Sequence, residues 1–176
     1  MNPLRFVLAA TLTLSAAPSL RAQAELNDLE MAHAAVTANN TDIAYAHLAL
    51  ALSDNPAIRD FAETMIRDHS AVNAQVFALA KKLNVQAQDN AFSRQLLQDA
   101  KRIKDELSGL RGAEFDRAYA RNELRYHRAV NGVVANAFIP NIENGEVKKA
   151  FEGALAIFRG HERHAAQMVS RVMASR

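Results

Sequence analysis

Between residues 56 and 83 the apolar positions Ile58, Ala62, Met65, Val72, Val76, Leu79 and Leu83 step by three and four, the repeat of one helix face. His69 falls in the same series, so this face carries an imidazole among aliphatic neighbours. A second stripe has the same form: Val147, Phe151, Ala154, Phe158, His161, Ala165, Met168 and Val172. Tyr119, Glu123, Tyr126, Val130, Val133 and Ala137 mark a third inner face, with His127 at its edge. Asp42 lies beside Ile43, Ala46 and Ala49 in the first helical stretch.

Breakers set the ends of these segments. Asn55-Pro56 closes a helix over 26–53, and Pro56 suits the first position of the next, over 56–83, with Asn84 as its cap. A shorter helix over 91–107 carries Leu96, Leu97, Ala100 and Ile103 on one side and ends at Gly109 and Gly112. The third long helix covers 113–139. Pro140-Asn141 and Asn144-Gly145 form the turn into a fourth, over 146–174. Four helices of similar length and one helical excursion predict an all-α fold. The expected form is an antiparallel up-down four-helix bundle, with the extra short helix between the second and third long ones. No repeat or second domain interrupts residues 25–176.

The first residues alter the charge balance. Arg5, an apolar run over 6–20 and Ala22-Gln23-Ala24 read as a secretory signal peptide over residues 1–24, too short an apolar run to span a bilayer. That segment holds two of the 21 basic residues and none of the 19 acidic ones, so the exported remainder carries 19 of each. Nucleic acid is then not an expected partner, and no later stretch reaches spanning length. The expected location is the periplasm or another exported compartment. Cysteine is absent, which removes disulfides and thiolate ligands.

Candidate chemistry comes from height along the bundle. The predicted helix midpoints fall near residues 40, 70, 126 and 160, and Asp42, His69, His127 and His161 each lie within about two residues, or ~3 Å, of one. In an up-down bundle a midpoint stays at mid-height whichever way its helix runs. Three imidazoles and a carboxylate would share one layer, the arrangement by which bundles build metal sites. One divalent transition metal (zinc, copper or iron) suits that ligand set. His164 and Glu123 are possible further ligands; Asp68, Asp116 and Tyr119 are candidates to orient the imidazoles. His33 reads as solvated and His47 as an exposed edge. No nucleophile elbow, phosphate loop or dinucleotide fingerprint is present, so no catalytic residue is expected. The competing reading is a structural or partner-binding bundle whose histidines hydrogen-bond one another without a metal, its protein partner unknown.

NNTDIAYAHLALALSDNPAIRDFAETMIRDHSAVNAQVFALAKKLNV, EFDRAYARNELRYHRAV and AIFRGHERHAAQM together resemble the bacterial domain of unknown function 4142. The resemblance spans nearly all of the exported chain. It implies a ferritin-like bundle at the periplasm or outer membrane, with His69, His127 and His161 at the family's histidine positions and Asp42 in place of a usual glutamate. It implies no settled activity. Ferritin-like di-iron sites use Glu-x-x-His pairs. Here Ile66 stands three before His69 and Phe158 three before His161, which argues for a single histidine-rich site rather than oxidase chemistry.

Overall fold

The computed structural model describes residues 26–174; the expected leader lies outside the described residues. Every regular element within them is helical: α1 Asp28–Leu52, α2 Pro56–Leu83, α3 Ala91–Ser108, α4 Gly112–Val133 and α5 Gly145–Ala174. A π-helical turn, Val134–Phe138, and a final turn, Ile139–Asn141, prolong α4. No helix among the described residues is long and apolar enough to cross a membrane.

Local chemistry starts and stops these helices. Asn27 accepts from the Leu29 and Glu30 backbone N–H groups while the Glu30 carboxylate accepts from the Asn27 N–H, a reciprocal cap. Asn55 caps α2 ahead of Pro56, and Asn84 ends it in the left-handed region at φ 53°. Asn90 accepts from the Ser93 N–H at the start of α3.

α1 packs against α2, α3 and α4, and α5 against α4 and α2. The apolar core is divided in two. One cluster joins Tyr45, Ile58, Phe61, Met65, Phe115 and Met168 with their neighbours. The other joins Met31, Ala34, Val134, Phe138, Phe151 and Leu155. On each of the four long helices a polar stretch separates the two: Asn39 to Asp42, His69 to Asn73, Glu123 to Asn131, and His161. The core is interrupted at one level by buried polar groups.

Several sequence expectations shift. The third long helix does not run to 139 as one α-helix: the wider π turn keeps Val134, Ala137 and Phe138 all buried just ahead of Pro140. Leu97 is half exposed and Leu96 only partly covered, so α3 packs by Ala100, Ile103 and Leu107 instead. Leu155 joins the core on α5, while Val147 and Ala154 are only partly covered. The face of α4 is rotated so that His127, expected at an edge, is buried, and Tyr126 lies at its border.

α2 is the most uneven helix. Ile58, Phe61, Ala62 and Met65 are fully buried, yet Val76, Leu79 and Leu83 are only partly covered. Ile58→Ala should therefore cost about 3 kcal/mol in urea unfolding and Leu83→Ala about 1 kcal/mol, because only the first leaves a closed cavity. Equal losses would contradict this division of the helix.

Candidate metal centre

The polar layer draws on all four long helices. α2 contributes His69, α4 His127 and α5 His161, all buried. Their ring centroids are 5.9 Å (His69–His127), 5.2 Å (His69–His161) and 5.6 Å (His127–His161) apart. One nitrogen of each ring lies within 4.8 Å of one nitrogen of the other two. α1 contributes Asp42, at 0% exposure, with Oδ2 2.6 Å from His69 Nε2 and 3.3 Å from His127 Nε2. Asp42, Glu123 and His127 form a second grouping within the same reach, sharing two members with this constellation.

Hydrogen bonds around the layer fix which nitrogen of each ring carries a proton. Asn39 Nδ2 donates to Asn73 Oδ1 and Asn73 Nδ2 to Asn40 Oδ1, which turns the Asn39 carbonyl oxygen toward His69. His69 Nδ1 donates to that oxygen at 2.9 Å. His127 Nδ1 donates to the Glu123 backbone carbonyl at 3.0 Å, one turn back on α4. His161 Nε2 donates to Asp68 Oδ2 at 2.9 Å, and Asp68 is itself held by Arg67 Nε. The nitrogens left over are His69 Nε2, His127 Nε2 and His161 Nδ1. His69 Nε2 and His127 Nε2 face only Asp42 Oδ2, and His161 Nδ1 is buried with no hydrogen bond among the described residues. Lone pairs and a negative charge face one another, and only a cation satisfies them together: a metal ion, or protons on the rings.

The charge states agree with this. Burial alone would raise the Asp42 carboxyl, but His69 and His127 hold it far below the usual carboxylate range. Burial likewise opposes protonation of His127, yet its bond to Asp42 and that residue's charge raise it overall. Burial dominates at His161, lowering it to about 4. Glu123 goes the other way: burial, then the Asp42 charge, raise it well above the usual value, which favours its neutral form.

Other residues named from sequence fall in varied places. Asp68 bonds His161, as an orienting partner would. Asp116 does not reach an imidazole: it accepts from Ser53 Oγ at 2.5 Å, tying the end of α1 to the start of α4. Tyr119 packs on Phe61 and stacks on Phe115, and its hydroxyl makes no hydrogen bond to a histidine. His164 faces Asp60 and the Phe61 ring rather than the layer. His33, expected in solvent, is half-buried and bonded to Ser93 Oγ; His47 is exposed. Sequence reasoning missed Asn39 and Asn73. The signal for Asn39 was its place three residues before Asp42, on the same helix face. Phe158, read as core, stacks on His69 with centroids 4.6 Å apart.

Fold and site together define a helical protein whose core is interrupted by a buried imidazole–carboxylate cluster able to hold a metal ion. The chain belongs to the family described as Domain of unknown function (DUF4142), whose profile matches residues 13–168. No curated protein and no solved structure matches it.

His161 also sets a pH dependence. Its folded value of about 4 lies below the ordinary 6.5, so as pH falls the unfolded chain takes up the proton first. Its contribution is fully present above pH 6.5 and is lost between 6.5 and 4. The chelator-treated protein should lose about 3 kcal/mol across that window, with His161→Gln flattening the slope. His127, raised instead, has the opposite sign, its contribution fading as pH climbs through its folded value. Urea titrations at stepped pH check this; an identical slope in His161→Gln would contradict it.

Proposed function

We propose that this chain is an exported, ferritin-like, antiparallel up-down four-helix bundle that binds one divalent transition metal in the envelope. Its ligands are His69, His127, His161 and Asp42, and its role is metal holding or stress protection rather than turnover of a substrate. The observation that carries this reading is the hydrogen bonding of the three rings. Each imidazole spends one nitrogen on a protein acceptor and turns the other toward the rest of the cluster. Asn39, the Glu123 carbonyl and Asp68 are the outer partners that a metal-binding histidine uses to hold its ring. Three nitrogens and one carboxylate oxygen match a four-coordinate zinc ion, and copper or iron is compatible with the same donors. Glu123, beside Asp42, is a reserve ligand for a larger coordination number. Export rests on the signal-like residues 1–24.

A second reading has its own support. The mutual shifts of Asp42 and His127 describe an ion pair that would also satisfy the layer, with protons in place of metal. Metal analysis separates the two. Protein purified without a chelating tag, equilibrated with zinc, copper or iron salts and desalted, should retain one equivalent of at least one of them. His69→Ala or His161→Ala should weaken retention at least a hundredfold, while His47→Ala should leave it unchanged. Chelator treatment should lower the melting temperature of the parent and not of the ligand variants. Retention well below one equivalent, with a melting temperature indifferent to chelator, would establish the metal-free network instead.

A further inference from the structure

The uncovered half of α2 is one wall of a cleft of about 430 Å³, within the roughly 300–1,000 Å³ of small-molecule sites. Val76, Leu79 and Leu83 face Val36 of α1 and Val147 and Ala154 of α5 across it. This is why the apolar stripe of α2 continues past His69 without entering either core cluster. Along α2 the lining runs from Val72 to Leu83, eleven residues on, a length of about 16 Å. Phe158 and Asn39 stand in the inner lining, and both also touch His69.

Charge is confined to two lining residues. Asp28 accepts from the backbone N–H groups of Glu143 and Asn144, so its carboxylate is already engaged. Lys81, exposed in the last turn of α2, has no ion-pair partner among the described residues, whereas its neighbour Lys82 pairs with Glu146. A long, apolar slot with one free cation at the helix end selects a particular chemistry. The walls offer dispersion and hydrophobic contact along their length and one point of attraction for a negative group. They offer little to a polar or bulky ligand.

We propose that the cleft binds a single-chain amphiphile with an anionic head, a medium-chain carboxylate, with the chain directed toward Phe158 and the head at Lys81. This goes beyond metal binding and does not depend on it, so it is tested on protein freed of metal. Dodecanoate should displace anilinonaphthalene sulfonate from the chelator-treated full chain in a saturable, one-to-one manner. Ala154→Phe fills the slot and should weaken dodecanoate at least tenfold; Ala150→Leu, a smaller change in the same wall, serves if the first variant misfolds. Lys81→Glu should weaken dodecanoate about tenfold and leave dodecanol unchanged. Three results would overturn the proposal. One is the absence of saturable displacement. Another is undiminished binding by a folded cavity-filling variant. The third is an Ala154→Phe protein that still sediments with phosphatidylglycerol vesicles as the parent does, which would place the contact on a lipid surface instead.

Discussion

A carboxylate with no exposure to solvent stands between two imidazole nitrogens, and the architecture is arranged around that fact. Asp42 retains its charge in the core only because cationic or cation-binding groups surround it; in an apolar site of the same depth it would be protonated. Meeting that requirement takes a side chain from every long helix. The requirement also explains the split core: Phe61 and Met65 on one side and Phe151 and Leu155 on the other pack as ordinary apolar clusters, while the level between them is given to histidine, asparagine and acid. Removing one member of such a layer leaves its partners buried and unpaired, which costs more than the contact itself contributes.

The outer hydrogen bonds make the layer directional. A buried imidazole with two free nitrogens could turn either edge inward. Here an amide, a backbone carbonyl and a carboxylate each take one proton and leave one choice. The positions where a di-iron protein would place its paired glutamates are filled by apolar side chains. Ile66 packs against the first core cluster, and Phe158 lies flat on the His69 ring. Burial and the Asp42 charge both disfavour the ionised form of Glu123, so the negative charge of the layer rests chiefly on Asp42, which suits one cation better than two.

The helices were legible because their stripes and caps are local: Pro56, Asn84 and the glycines after 108 act on their own neighbours. Equal distance from the helix ends was enough to put Asp42, His69, His127 and His161 at one height. What was not legible depends on contacts distant in sequence. α1 shows no clean stripe because α3 covers its far side, so Asn39 and Thr41 are buried beside Asp42 without an apolar face to announce them. Asp116 was a candidate to orient an imidazole, but its partner is Ser53, at the end of α1. The π turn before Pro140 rotates the end of α4 by an amount that no 3.6-residue repeat contains. The cleft escaped notice for a related reason: a stripe records that a face is apolar, not what covers it.

The central claim, that the imidazoles are held in fixed tautomers aimed at a common cation, is tested most directly by nitrogen-15 NMR of the histidine rings in zinc-loaded protein. Coordination should appear at Nε2 of His69 and His127 and at Nδ1 of His161, each with the opposite nitrogen protonated. A spectrum in which any of the three rings lacks a coordinated nitrogen, or coordinates through the other one, would contradict the account.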